Sequence, residues 1–354
     1  MKAAWRERYG GPHVVEVREI ETPTPAGDQV LVRVHAASVN RADLDGITPR
    51  WAFVRLFFGL RRPREKRVGL DVAGVVEAVG EGVSRLKVGD RVFGDLFAYG
   101  AGAFAEYVCA PEKAFAPIVD DMTFDVAASL PHSAILALQG LRLRDGRTVG
   151  EGDRVLVAGA SGNVGPFAVQ IARSRGVHVT GVASADKHEF VRSLGADDVI
   201  DYRATDYTRP AERYDWIVDV DAHHPLRRWR QALKPRGVYV AMGGSGLWLL
   251  SLLFWQPALK LATDKRMGLL LSWKPFAPAD VDELKRLVAS GAITPVIDRR
   301  FSLDEVVDAL RYVDDGRARG KVLVIPDAIR AYNARSSPRE PGRSSSSSAA
   351  PPIT

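Results

Sequence analysis

Gly159, Gly162 and Gly165 stand three residues apart in the run Ala158-Gly159-Ala160-Ser161-Gly162-Asn163-Val164-Gly165. The run lies between a strand-like stretch, Arg154 to Ala158, and a helix-like one, Pro166 to Ser174. Glycines at such a junction let the backbone N–H groups of Ser161, Gly162, Asn163 and Val164 approach a phosphate at the start of a helix. The chemistry would be that of a bound dinucleotide, and so redox chemistry. The spacing, GxxGxxG, is neither GxGxxG nor a phosphate-binding loop, in which Lys-Ser or Lys-Thr would follow the last glycine. Glycine turns also close strand–helix units that bind nothing, so the flanks decide.

Val155-Leu156-Val157-Ala158 is the short apolar run of a parallel strand buried on both faces. Downstream, Phe167, Val169, Ile171 and Ala172 recur at helical spacing, and Gly176 ends the helix. A second strand is predicted from His178 to Ala183, a helix from about Asp186 to Leu194, and a third strand near Asp198 to Asp201. This is a βαβαβ unit with the glycine loop in its first turn. At the tip of the second strand an acid would bind the ribose of NAD and repel the 2′-phosphate of NADP, and the residues there are Ala183-Ser184-Ala185. Asp186 arrives two residues late and reads as a helix N-cap. Ser184 can donate to a phosphate oxygen, Lys187 can pair with its charge, and Tyr202 closes the third strand where an adenine ribose would lie. These residues point to NADPH, although Lys187 also reads as an ordinary solvated helix residue.

The 354 residues leave room for two domains, and 46% hydrophobic with 26% charged residues is the composition of a water-soluble globular chain. The one cysteine, Cys109, excludes an internal disulfide and a cysteine-rich zinc site, and suits a reducing cytoplasm. It reads as a core residue, with no base beside it in sequence. Met1-Lys2-Ala3-Ala4-Trp5-Arg6 lacks the apolar core of a signal peptide. The apolar segment 247–258 is cut short by Pro257 and Lys260, below the ~20 residues of a membrane span. It reads as a pocket or subunit-contact flap, or as a buried helix. Part of the net charge of +6 belongs to the Ser/Pro-rich tail 331–354, which is expected to be disordered. A basic run, Arg50 to Arg67, is interleaved with Trp51, Phe53, Phe57 and Phe58. No nucleic-acid motif accompanies it, so capture of an anionic cofactor or a solvated loop is preferred.

Short β-like segments broken by Gly, Pro and Asp fill the first third: Val14 to Val17, Gln29 to His35, Val72 to Val79, Arg91 to Phe93 and Phe104 to Ala110. Strands and helices then alternate, with Trp216 to Val220, Val238 to Met242 and a helix at Ala279 to Ser290. A strand, a helix at Leu303 to Val313 and the strand Val322 to Ile325 close the chain.

Several co-linear motifs accompany this order. They are Ser38-Val39-Asn40 with Asp43, Gly69-Leu70-Asp71-Val72-Ala73-Gly74, Lys87-Val88-Gly89-Asp90-Arg91-Val92, Gly102-Ala103-Phe104-Ala105-Glu106-Tyr107, the glycine loop, Ser193-Leu194-Gly195-Ala196-Asp197 and Gly320-Lys321-Val322. On them the chain resembles the medium-chain dehydrogenase/reductase superfamily, in its zinc-independent quinone oxidoreductase-like branch. The resemblance implies an α/β fold of two domains. One is a GroES-like β-rich catalytic domain at 1–125, completed by 296–330; the other is a doubly wound Rossmann NADP-binding domain at 126–295. It also implies a homodimer, Asn40 and Asp43 as catalytic residues beside the nicotinamide, and Gly243 and Lys321 as further cofactor contacts. In the zinc branch a Cys and a His would hold a metal; here Asn40 and Leu70 stand near those positions, and no metal is expected. Without one, the hydride acceptor must already be electrophilic, such as a quinone or an enone, with hydrogen bonds to the developing oxyanion. Asn40 can donate its amide to a carbonyl, while Asp43 can orient Asn40 or a water, or simply cap a helix. Leu44 and Leu136 stand where the family often has an aromatic residue and a threonine, which suggests a more apolar pocket. Tyr99 and His132 are the candidates for a proton donor, and solvent is the alternative.

The leading expectation is an NADPH-dependent reductase of quinones, enones or related carbonyls. A trans-enoyl thioester reductase of the same superfamily, with Arg61, Arg62 and Arg64 on a carrier's phosphates, is the second. A non-catalytic NADPH-binding sensor or a nucleic-acid-binding protein is the third.

Overall fold

Inner strands of a parallel sheet read as unbroken apolar runs because helices cover both faces, and strands of an antiparallel lobe carry their polar residues outward. The chain contains both patterns. The computed structural model describes residues 1–49, 55, 59–119, 121–244, 264–270 and 273–330. The apolar segment 247–258, most of the basic stretch 50–58 and the tail from 331 lie outside the described residues.

The first lobe runs through β1 (Lys2–Arg6), β2 (Val15–Glu19), β3 (Gln29–Val39), α1 (Arg41–Ile47), β4 (Asp71–Val79), β5 (Arg91–Asp95), β6 (Tyr107–Pro111) and β7 (Phe115–Pro117). Helices α2 (Phe124–Ser129) and α3 (Pro131–Gly140) lead out of it. The second lobe is built of β8 (Arg154–Ala158), α4 (Gly165–Ser174), β9 (His178–Ala183), α5 (His188–Ser193), β10 (Asp198–Asp201), β11 (Tyr214–Asp219), α6 (Leu226–Ala232), β12 (Leu233–Ala241), β13 (Arg266–Leu269) and α7 (Pro278–Ala289). The chain then returns to the first lobe with β14 (Ile297–Ser302), α8 (Val306–Asp314) and β15 (Lys321–Ile325).

The first-lobe sheet has the order β14-β15-β3-β4-β5-β7, with β6 also on β3, so the C-terminal strands complete a sheet begun by the N-terminal ones. The second sheet is parallel with the order β10-β9-β8-β11-β12-β13. That is the doubly wound order, and its direction reverses between β8 and β11, where ligands bind in open α/β sheets.

The expected strand Phe104 to Ala110 is shorter: it starts at Tyr107, and Ala105 bends away to bridge Ala3. The N-terminal residues, expected only to lack a signal, pair as β1 with β2. Helices α2 and α3 escape the sequence pattern because α3 is apolar nearly all round, with Ala134, Ile135, Ala137 and Leu138 fully buried. Cys109 is half-buried on β6 beside Gln29 rather than in the core. Leu44 lies inside the core of the first lobe, while Leu136 is partly exposed and packs against that of the second.

Trp216 on β11 is buried, and its indole N–H donates to the carbonyl of Gly140 at the end of α3 at 2.9 Å. It ties the nucleotide-side sheet to the helix that reaches the other lobe. Trp216→Ala should cost about 3–5 kcal/mol and Trp216→Phe less, in urea unfolding of the purified chain; equal midpoints for wild type and both variants would show that this contact is idle.

Candidate active site

Register across the first-lobe sheet aligns three polar residues in one row: Ser38 on β3 lies opposite Asp71 on β4, and Asp71 lies opposite Asp95 on β5. Two buried carboxylates on neighbouring strands repel each other, so the row needs compensating donors. Asp71 Oδ2 accepts from Ser38 Oγ at 3.0 Å and lies 3.5 Å from Lys321 Nζ. Its Oδ1 accepts the backbone N–H of His132 at 3.0 Å, in the first turn of α3, where the helix favours an anion. Asp95 Oδ1 accepts the N–H of Phe97 at 2.8 Å and its Oδ2 faces His132 Nδ1 at 3.1 Å.

Lys321 opens β15 and is 1% exposed. Its ammonium donates to Asn40 Oδ1 at 2.7 Å and Ser133 Oγ at 3.1 Å, and Ser133 Oγ itself donates to Asn40 Oδ1 at 2.9 Å. Two donors on Oδ1 fix which way the Asn40 amide faces; its Nδ2 lies 3.4 Å from the Ser38 carbonyl, and an amide N–H₂ carries two donors. Burial pushes Asp71 up and Lys321 down, and each opposes the push on the other. Asp43 is buried too, and burial raises it to about 7. Its Oδ2 accepts the backbone N–H of Asn40 at 2.7 Å, one arm of a capping box on α1. Asp43 therefore orients Asn40 through the backbone.

The glycine loop sits at the C-terminal end of β8. Gly159 adopts φ +81°, and a Cβ on Gly165 would lie 2.2 Å from the Gly159 carbonyl, so both positions require glycine. A Cβ on Gly162 would meet only the Gly159 carbonyl, at 3.7 Å, which leaves a concavity over the start of α4. Among the described residues the N–H groups of Ser161, Asn163 and Val164 take no backbone acceptor. This cradle fits a pyrophosphate. Asn163 Nδ2 donates to the carbonyl of Val39 at 2.9 Å, which joins the loop to the residue preceding Asn40. Gly243 lies at the end of β12, where a Cβ would come 2.5 Å from the Val220 carbonyl.

Ser184 is buried at the tip of β9. Lys187 is half-buried and spends its ammonium on the carbonyls of Gly316 and Ala318, at 2.7 and 3.0 Å, so it spans the seam between the lobes. Tyr202 is exposed, with Arg203 over its ring. Lys321, expected at the cofactor, is engaged with Asn40, Ser133 and Asp71. Four residues went unnamed as site members: Asp71, Asp95, Ser133 and Arg319, whose guanidinium lies 3.6 Å from Asp186 beside Lys187. Asp71 stood inside a quoted motif; nothing in sequence placed Ser133 against Asn40. Tyr99 packs on the first-lobe core with Lys113 over its ring. In the basic run Lys66 pairs with Glu7 and Arg67 with Glu65.

Comparison with known proteins adds the lineage. Residues 26–120 match the alcohol dehydrogenase GroES-like domain and residues 194–324 a zinc-binding dehydrogenase domain. A chloroplast envelope quinone oxidoreductase homolog of Arabidopsis thaliana is 31% identical over 341 residues, covering 92% of this chain and 98% of the relative. The chain belongs to the quinone oxidoreductase-like branch of the medium-chain dehydrogenase/reductase superfamily. It is accordingly an NAD(P)H-dependent oxidoreductase. A 2-methylene-furan-3-one reductase of Solanum lycopersicum is 30% identical, covering 92% of this chain and 79% of the relative. A mycobacterial structure complexed with NADPH superposes with a TM-score of 0.76 at 25% identity, covering 92% of this chain and all of that one.

The cradle geometry separates two glycines. Gly162→Ala should leave stability unchanged while weakening NADPH binding, whereas Gly165→Ala should lower both, read by thermal unfolding and fluorescence titration. Wild-type affinity in Gly165→Ala would contradict the tight turn.

Proposed function

We propose that the chain is a zinc-independent reductase that uses NADPH to reduce quinones, enones or related activated carbonyls. The observation that carries this reading is the junction of the two halves of the site: the loop residue Asn163 holds Val39, and Asn40 follows with its amide fixed by Lys321 and Ser133. A bound NADPH supplies the hydride. Gly159, Ser161, Gly162, Asn163, Val164 and Gly165 would hold its pyrophosphate at the start of α4, and Gly243 would allow close approach beyond β12. Asn40 presents its amide N–H₂ to the acceptor oxygen, where negative charge develops. Asp43 and Lys321 position Asn40 from its backbone and its carbonyl end.

Zinc-independence is supported by what surrounds Asn40: an ammonium already sits against its oxygen, and a divalent cation there would meet like charge. Among the described residues no three His, Cys, Asp or Glu side chains cluster to hold a metal. NADPH over NADH is supported by Ser184, Lys187 and Tyr202, with Arg319 adding charge at the same edge. Among the described residues no helix is long and apolar enough to cross a membrane. A cytoplasmic homodimer is the arrangement we favour, on the unpaired Cys109 and the family resemblance.

Two linked measurements test the reading. NADPH oxidation should follow addition of quinones or cyclic enones, and silence across such a panel with NADPH bound would refute the reductase. Lys187→Ala combined with Ser184→Ala should weaken NADPH about 10–100-fold more than NADH, the worth of one or two charge-assisted bonds. Equal loss for both cofactors would remove the 2′-phosphate assignment.

A further inference from the structure

His132 carries a second pairing that the steps above do not use. Its backbone N–H is committed to Asp71, while its ring turns to the other carboxylate of the row, with Nδ1 3.1 Å from Asp95 Oδ2. Asp95 is itself held by the Phe97 N–H, so it has one oxygen to offer, and an ionised Asp95 accepts from a protonated Nδ1. Nε2 is then the ring nitrogen left for another partner. The ring lies among aromatic side chains: Phe97, 40% exposed, is 5.7 Å from the imidazole between centroids, and Trp273 is 5.2 Å away and edge-on. Trp273 comes from the other lobe, between β13 and α7, and its buried indole N–H has no acceptor among the described residues. The next residue in the chain, Ser133, touches Asn40 Oδ1. The ring therefore stands in the same helical turn as the group that orients Asn40, under a roof formed where the two lobes meet.

We propose that His132, held by Asp95, is the proton donor of the reductive half-reaction. The inference rests on the reductase reading. Hydride transfer places a new C–H or O–H bond and an electron pair on the acceptor, as an enolate or a hydroquinone anion. Nε2–H gives its proton to that anion, the N–H bond breaks as the new bond forms, the imidazolium becomes neutral imidazole, and water restores the proton past the exposed edge of Phe97. The hydrogen bond from Nδ1 to Asp95 Oδ2 keeps the ring from turning.

Several charges face the imidazole. Asp95 on β5, Asp71 on β4 and Asp43 on α1 favour the charged ring, and Lys321 on β15 opposes it from beyond Ser133. Burial pulls the histidine down, but the carboxylates outweigh it and the net shift is upward. The acid form thus persists to higher pH than in an ordinary histidine and is lost as pH rises through the raised value.

The test uses the full-length chain with NADPH, a cyclic enone and the variants His132→Asn, which keeps an N–H toward Asp95, and Asp95→Asn. For wild type, kcat should hold below the histidine's titration and fall tenfold per unit above it. His132→Asn should lose about 10²-fold in kcat with KM and NADPH affinity unchanged. It should also lose the alkaline limb and recover part of the rate in imidazole buffer. Without cofactor, the His132 ring signal in a nuclear magnetic resonance titration, assigned by its absence in His132→Asn, should titrate above an ordinary histidine and move down in Asp95→Asn. An active wild type beside a His132→Asn with equal kcat and an intact alkaline limb, or a ring that titrates below the ordinary range, overturns the proposal alone. A wild type that binds NADPH but reduces nothing overturns the reductase reading and this one with it.

Discussion

The buried ammonium of Lys321 is the interaction on which the site depends. A lysine 1% exposed can stay charged only where acceptors replace its water, and here Asn40 Oδ1, Ser133 Oγ and Asp71 Oδ2 surround it. The dependence is mutual. Asp71 and Asp95 lie across from each other on adjacent strands, and without a nearby cation and the first turn of α3 that pair would favour protonation or rearrangement. The same ammonium, with Ser133, sets which way the Asn40 amide faces. A single buried charge thereby links the closing strand of the chain, the start of α1 and the start of α3, and turns their relative positions into the geometry of one hydrogen-bond donor.

The two lobes meet through polar contacts that also belong to the chemistry. Asn163 carries the phosphate cradle to the strand that ends in Asn40, and Lys187 ties the edge expected to read the 2′-phosphate to the Gly316–Ala318 loop leading into Lys321. Trp273 closes over His132 from the nucleotide side. Cofactor recognition and acceptor positioning thus share side chains. A change at the glycine loop has a short mechanical path to Asn40.

Much of this was legible in sequence wherever the signal is local. The strands and the helix flanking the glycine loop fall within a residue or two of their expected limits, because buried parallel strands leave continuous apolar runs and glycines mark the turns. Helix α3 was not legible, since a helix buried nearly all round has no amphipathic period, and α2 is only six residues long. The row Ser38, Asp71 and Asp95 was invisible because register across strands is a property of the sheet. The contact of Lys321 with Asn40, 281 residues away in sequence, was equally invisible. Asp43 read equally as a catalytic group or as a helix cap, and its bond to the Asn40 N–H favours the cap.

The most direct measurement is a double-mutant cycle on Lys321 and Asp71, following urea unfolding and NADPH-dependent turnover together. Lys321→Met alone leaves a buried carboxylate uncompensated and should cost about 3–5 kcal/mol. Lys321→Met with Asp71→Leu should regain most of that stability yet stay slow, because nothing then fixes the Asn40 amide. A Lys321→Met chain that unfolds and turns over like wild type would contradict the account, as would a double variant that recovers activity along with stability.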